Sequence, residues 1–184
     1  RLLSIEVLSN QPPVAAFYTT PNPAGLLEYV QFNGSPSSDP DSDFGDSIVR
    51  YEWDFDDAGV FDLEGPFVSR TFDTLGTHHV TLRVTDAGGL QHTTTGTVLI
   101  STAPVAQFSF VPVEPWNGQL VMFDASASYE IDPGDSIVQY EWEFDGTGFG
   151  PPSPTPYASH VFPAGGGYLA TLRLTDTFGG SGTA

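Results

Sequence analysis

Cysteine is absent from the 184 residues, and so is lysine. Without cysteine there is no disulfide framework, no thiolate-held zinc, no iron–sulfur cluster and no thiol nucleophile. Without lysine, all positive side-chain charge rests on 5 arginines, against 15 Asp and 8 Glu, and the formal net charge is −18. A surface of that sign repels phosphate, which argues against nucleic acid or an anionic membrane as partner. No apolar run approaches the ~18–20 residues that span a bilayer, so no membrane insertion is expected. No secretory leader is visible, and the chain reads as a mature piece or an excised fragment.

What the chain has in excess is punctuation. Its 20 glycines and 16 prolines make up near a fifth of the residues, against about 12% on average. That density suits many short strands and turns. Apolar residues reach 39%, enough to build cores. The surplus of carboxylates serves solubility, and it also admits hard cations as partners.

The chain repeats itself. Pro13-Val14-Ala15-Ala16-Phe17 returns as Pro104-Val105-Ala106-Gln107-Phe108, an offset of 91. The run from Ser47 to Asp56, which contains Tyr51-Glu52-Trp53-Asp54-Phe55, returns from Ser136 to Asp145 at an offset of 89. Thr81-Leu82-Arg83-Val84-Thr85-Asp86 returns as Thr171-Leu172-Arg173-Leu174-Thr175-Asp176 at an offset of 90. Three collinear blocks at nearly one offset mean a tandem of two modules.

Each module reads as strands. Tyr51, Trp53 and Phe55 alternate with Glu52 and Asp54, which sends aromatics to the core and carboxylates outward. Val80, Leu82 and Val84 alternate with threonines and Arg83 in the same way. Turn signals such as Asp86-Ala87-Gly88-Gly89 separate the runs. About seven short strands per module predict an all-β protein, two tandem β-sandwiches with Greek-key connections. Module 1 is expected at residues 13–103 and module 2 at 104–184. Ala184 aligns with Thr94, so the last strand of module 2 is expected to be missing. Residues 1–12 contain Leu3-Ser4-Ile5-Glu6-Val7-Leu8, which alternates like a closing strand. They are expected to be the end of a preceding module in a longer array, or a donor strand filling the open edge of another copy's second module.

Tyr51 to Asp57 and Tyr140 to Gly146 resemble the YxWDFGDG motif of polycystic kidney disease (PKD) domains. Asp124-Ala125-Ser126-Ala127-Ser128, followed by Asp132-Pro133-Gly134-Asp135-Ser136-Ile137, resembles the upstream stretch of that family. Val80 to Asp86 and Ala170 to Asp176 resemble its VTLxVTD piece. The glycine of WDFGD is replaced by Asp56 and Asp145; if that position needs a positive φ, aspartate tolerates it at a cost. The resemblance implies a non-catalytic immunoglobulin-like module found outside the cell, as a spacer, an adhesion module or a weak polymer binder. Its expected partners are neighbouring modules or copies of itself, or a polysaccharide or matrix protein. The resemblance implies an extracellular or cell-surface location, and the cysteine-free, lysine-free, acidic composition points to a prokaryote.

Calcium is the cofactor this resemblance implies. Eight carboxylates crowd residues 39–57, and Ca²⁺ takes six to eight oxygens, which acidic loops supply. In family members that bind it, an acidic pair before the YxWDF strand, the Asp ending VTLxVTD and a linker residue hold the ion. Carried over, these are Asp39, Asp41, Asp86 and Asn10 in module 1, and Glu130, Asp132 and Asp176 in module 2, where Thr102 is a weak linker match. The alternative is that these carboxylates cap turns and solvate a face.

Other residues weigh less. Trp53 and Trp142 alternate within strands and are expected in cores, not as sugar platforms. Trp116, in Val113-Glu114-Pro115-Trp116-Asn117-Gly118, lies in a turn-like stretch without a counterpart in module 1 and is expected to be a local packing plug between modules, the alternative being an exposed contact for a polymer or partner. No pair of histidines has zinc spacing. There is no GxSxG, phosphate loop or HExxH, and no catalytic residue is assigned. An accessory module of a secreted hydrolase, binding carbohydrate or protein, is the alternative to a spacer.

Overall fold

The computed structural model describes residues 9–184. The strand expected at residues 3–8 lies outside the described residues. The chain forms two compact units that divide between Ile100 and Ser101, and each is described by itself.

In the first unit the strands are β1 (Tyr18–Thr20), β2 (Val30–Asn33), β3 (Ile48–Asp54), β4 (Leu63–Glu64), β5 (Phe67–Arg70), β6 (Gly76–Asp86) and β7 (Gln91–Ile100). One sheet has the order β1-β2-β5 and the other β4-β3-β6-β7. The two inner faces enclose one core, in which Val30, Phe32, Trp53, Leu82, Val84, Val98 and Ile100 are fully or almost fully buried. The register places Trp53 opposite Leu82 and Tyr51 opposite Val84, so the period-2 pattern of both strands meets on one face. Phe32 and Phe55 pack on the indole of Trp53 at 5.7 and 6.3 Å between ring centres.

The second unit repeats the plan. Its strands are β8 (Ser109–Val111), β9 (Leu120–Asp124), β10 (Ile137–Glu143), β11 (Tyr157–Val161), β12 (Thr171–Asp176) and β13 (Ser181–Thr183). The sheets are β11-β9-β8 and β10-β12-β13. Trp142 faces Leu172 and stacks with Phe144 at 5.9 Å. Both units are antiparallel sandwiches, the all-β architecture that the alternation predicts and the immunoglobulin-like type that the resemblance implies. Among the described residues no helix is long and apolar enough to cross a membrane.

Three local expectations need correction. Glu52 and Asp54 do point away from the core, yet both are only 3% exposed. Residues beyond β3 fold back over them: Glu52 is held by Arg83, whose guanidinium lies 3.8 Å from the centre of the Phe61 ring. The positive φ near the YxWDF strand falls one residue later than expected, at Asp57 (56°) and its counterpart Gly146 (75°), so Asp56 and Asp145 carry no such strain. The Trp116 turn does have a counterpart. Trp116 N–H donates to Gln119 at 3.0 Å, as Gly25 N–H donates to Glu28 at 2.8 Å, and Trp116 is the exposed substituent at a position where module 1 has glycine.

Candidate metal centre

Two acidic clusters sit at equivalent places, one in each unit. In the first, Asp39, Asp46 and Asp86 bring one carboxylate oxygen each to within 4.8 Å of one another; in the second, Glu130, Asp135 and Asp176 do the same. Local structure sets these positions. Asp86 and Asp176 end β6 and β12, and the ladder pairs them with Ile48 and Ile137. That pairing brings Asp46 and Asp135, two residues before each strand, to the same end of the sheet. In the first unit a short 3₁₀ turn, Ser42–Phe44, lies in the stretch between Asp39 and Asp46.

The clusters are partly tied down. Asp86 accepts from Leu90 N–H at 2.8 Å and from the Asn10 side-chain amide at 3.1 Å. Asp39 accepts from Asp41 N–H at 2.8 Å, and Asp46 from Ser47 and Ala87 N–H at 2.8 and 3.1 Å. Asp176 accepts from Gly180 and Phe178 N–H at 2.7 and 2.9 Å. Asp135 accepts from Ser136 and Thr177 N–H at 2.6 and 3.0 Å.

Other oxygens are left over. Among the described residues, six buried side-chain polar atoms lack a hydrogen-bond partner, and four of them belong to these clusters: Asp39 Oδ2, Glu130 Oε2, Asp135 Oδ2 and Asp176 Oδ2. Asp39 and Asp176 are 8% and 3% exposed. Buried acceptors without donors are costly, and carboxylates more than neutral groups. Two unit charges 4.8 Å apart repel by about 3 kcal/mol at an effective dielectric of about 20. Among the described residues no arginine relieves this. Arg50, Arg70, Arg83 and Arg173 are all paired with other carboxylates. Hard carboxylate oxygens without a counter-charge beside them are the donor set Ca²⁺ takes, so the residues fit the ion.

Asp41 and Asp132 do not enter the clusters. Each holds the segment leading into its module. Asp41 accepts Gln11 N–H at 2.6 Å and the Gln11 amide at 3.3 Å. Asp132 accepts Thr102 N–H at 2.6 Å and the Thr102 hydroxyl at 2.8 Å. Thus Asp39 and Asp86, and Glu130 and Asp176, come together as a set, Asn10 is attached to Asp86, and Asp46 and Asp135 complete the trios. The signal for Asp46 and Asp135 was in the repeat: Asp46-Ser47-Ile48-Val49 returns unchanged as Asp135-Ser136-Ile137-Val138.

A third trio, Asp54, Asp56 and Asp62, has a different character. Burial opposes ionisation of Asp54, but N–H donors of Asp56 and Gly59 outweigh it and hold the carboxyl below its ordinary value. Asp62 is paired with Arg70 at 2.9 Å. This trio is already satisfied by the protein.

With that geometry in place, the sequence model described as PKD domain matches residues 10–100 and again 101–184. The chain belongs to the PKD-domain family. The two PKD modules resemble solved bacterial structures. The PKD1 domain of Vibrio anguillarum Epp is 32% identical over 50% of this chain and 96% of its own, with a TM-score of 0.41. The PKD1 domain of the Vibrio cholerae metalloprotease PrtV is 29% identical over 50% of this chain and 100% of its own, with a TM-score of 0.40. The fibronectin(III)-like modules of Clostridium thermocellum CbhA cover 90% of this PKD tandem and 88% of their own chain at 10% identity and a TM-score of 0.52, a likeness of fold alone.

Proposed function

We propose that the chain is a non-catalytic structural and adhesive spacer of an extracellular or cell-surface protein or filament of a prokaryote. In this reading its modules are stiffened by calcium at the two acidic clusters and its copies join head to tail by strand donation. The observation that carries the calcium element is the set of buried, donor-less carboxylate oxygens recurring in both modules, with no arginine of the described residues beside them. Asp39, Asp46 and Asp86 would hold one ion, and Glu130, Asp135 and Asp176 another. The ion would offset two of the trio's three negative charges and fasten the end of β6 or β12 to the turn before β3 or β10. Asn10 is bonded to Asp86, so the leading segment of module 1 would be fixed with it.

Calorimetric titration of calcium into chelator-stripped protein tests this. Heat of binding and a rise in melting temperature are expected. No heat and no rise at millimolar calcium would end the calcium element. Polysaccharide hydrolysis by the purified chain, lost on a carboxylate substitution, would end the non-catalytic one.

One observation favours the second reading, a carbohydrate-binding accessory module. On the outer face of the β1-β2-β5 sheet, Tyr18, Asn33 and Phe67 lie side by side in register, with both aromatics exposed. Thr20, Gln31 and Ser69 form the next row, and neither row carries a charge. Exposed rings beside amides and hydroxyls suit a neutral sugar chain. Retention of the chain by an insoluble neutral polysaccharide, abolished in Tyr18→Ala/Phe67→Ala, would favour this reading over the spacer.

A further inference from the structure

The two rows on the outer face of the β1-β2-β5 sheet border an open depression of about 460 Å³, lined by Tyr18, Thr20, Gln31, Asn33, Phe67 and Ser69. Tyr18 and Phe67 are 55% and 66% exposed. None of the six residues carries a charge, on a chain whose formal net charge is −18.

Asn33 makes two hydrogen bonds here. Its Oδ1 accepts Ser35 N–H at 2.8 Å, and its Nδ2 donates to the Tyr18 hydroxyl at 2.5 Å. The first bond holds the turn after β2 and fixes which way the amide faces, because a backbone N–H can only donate. The second ties down the Tyr18 ring. The tyrosine oxygen accepts in that bond, so its own proton stays free for another acceptor. Module 2 shows that the turn does not need an amide. There Asp124 takes the place of Asn33 and accepts Ser126 N–H at 2.8 Å, and Ser109 stands opposite it where module 1 has Tyr18. The amide and the ring it holds are thus present together in one module and replaced together in the other, which the needs of the fold do not explain.

The next row has hydrogen-bonding capacity to spare. The side chains of Thr20, Gln31 and Ser69 are exposed and take no part in the hydrogen bonds among the described residues. Gln31 offers an acceptor and two donors on one rigid group, which suits a pair of neighbouring hydroxyls. In module 2 the same row reads Val111, Met122 and Ser159, so a thioether replaces the amide.

We propose that module 1 carries a binding site for a neutral polysaccharide, in which Gln31 bonds the sugar hydroxyls and Asn33 is a positioning residue that holds the Tyr18 ring, and that the matching face of module 2 carries no such site. Two strand spacings separate β1 from β5, about 9–10 Å, so a glycan crossing the strands meets an aromatic residue on each outer strand and amides between. Exposed rings cover the apolar face of a sugar while amides and hydroxyls bond its rim. A uronic-acid chain would bring negative charge to a negatively charged protein and is disfavoured. The inference rests on the carbohydrate-binding reading and assigns its residues; it depends neither on calcium nor on strand donation.

Affinity electrophoresis of the 184-residue chain in chelator tests it, in gels holding galactomannan, arabinoxylan or a neutral β-glucan, with alginate as the charged counterpart. The wild-type chain is expected to be retarded in at least one neutral gel and not in alginate. Gln31→Ala is expected to weaken that retention about tenfold. Tyr18→Phe and Asn33→Asp are each expected to weaken it, and the double variant should lose no more than the larger single loss, because both break the same unit. Asn33→Asp keeps the acceptor for Ser35 N–H, as Asp124 does for Ser126, so its melting temperature should stay close to wild type. Met122→Ala, at the position of module 2 that matches Gln31, is expected to change nothing. No retardation in any neutral gel would end the carbohydrate reading and this inference together. Retention unchanged in Gln31→Ala, or lost in Met122→Ala, would overturn the inference and leave the reading standing. Additive losses in Tyr18→Phe/Asn33→Asp would overturn the positioning role of Asn33, and stronger retardation in alginate would overturn the neutral ligand.

Discussion

Arg83 closes a two-pronged pair on Glu52, Nε to Oε2 at 2.8 Å and a terminal nitrogen to Oε1 at 2.9 Å. Arg173 repeats it on Glu141 at 2.8 and 2.7 Å, and Phe149 covers that guanidinium as Phe61 covers the first. The pairs sit directly opposite across the β3–β6 and β10–β12 ladders. Each clamps two neighbouring strands, β3 to β6 and β10 to β12, and planar fork-to-carboxylate geometry makes arginine irreplaceable by a point charge.

These clamps make stability depend on pH. The hydrogen bonds from Arg83 hold the Glu52 carboxyl below its ordinary value, and those from Arg173 do the same for Glu141. A carboxyl lowered in the folded state contributes stability that is complete above its unfolded value and is lost as pH falls through the folded one. Glu52→Gln is expected to cost about 2 kcal/mol at pH 7, less than the 3–5 kcal/mol for a fully buried pair, because Arg83 keeps 28% exposure to water. Melting curves of wild type and Glu52→Gln, measured from pH 7 to below pH 4, should converge toward acid. A gap that stays constant would show that ionisation of Glu52 contributes nothing.

The two tryptophans are alike in position but not in partners. Trp53 Nε1–H donates to Gly65 O at 2.8 Å, whereas Trp142 Nε1 is buried with no acceptor. Trp53→Phe loses a hydrogen bond as well as volume, and Trp142→Phe removes a donor that had no partner. Denaturant unfolding should find Trp53→Phe more costly by about 1 kcal/mol. Alanine at either site should cost roughly 3–5 kcal/mol. Equal losses for the two phenylalanine variants would count against the assignment of that bond.

Glycine is required at two strand positions for lack of room. A Cβ at Gly96 would fall 2.7 Å from the Phe17 ring, and one at Gly182 would fall 1.9 Å from the Pro104 carbonyl oxygen. A ring can tilt; a backbone carbonyl moves only with its segment. Gly96→Ala should therefore cost about 1 kcal/mol and Gly182→Ala about 3 kcal/mol, the two ends of the range for overpacking. Thermal melts of both variants decide it, and a harmless Gly182→Ala would mean that the Pro104 carbonyl does not lie against Gly182.

The repeat, the sandwich and the buried aromatics were legible because they rest on local periodicity: Trp53 and Trp142 declare their side of the sheet by alternation with Glu52 and Glu141. The cover over Glu52 was not, since Phe61 reaches Arg83 only after residues 57–62 double back. The acidic centres were half legible. Asp39 and Asp86 lie 47 positions apart and come together through family resemblance. Asp46 needed the β3–β6 register, which sets Ile48 beside Asp86 and so carries Asp46 to the same end. Adjacent spacing suggested that Asp39 and Asp41 act together, but the intervening turn sends Asp41 to the leading segment.

That division of labour separates two kinds of variant. Asp46→Asn and Asp135→Asn change groups that face the donor-less oxygens of Asp39 and of Glu130 and Asp176. In a calcium centre they remove a charged ligand, so the rise in melting temperature on adding calcium should shrink or vanish in the affected module. Without calcium they should be neutral or stabilising, since one of three mutually repelling charges is gone. Asp41→Asn and Asp132→Asn act elsewhere. They weaken the hydrogen bonds to Gln11 and Thr102 at 2.6 Å, and hydrogen bonds to a charged acceptor contribute about 1.5–3 kcal/mol each. These two should lower the melting temperature with and without calcium by the same amount and leave the calcium increment intact. If instead Asp41→Asn and Asp132→Asn abolish the increment while Asp46→Asn and Asp135→Asn preserve it, the ion is held by the pair two residues apart in sequence, and the trios described here are not its site.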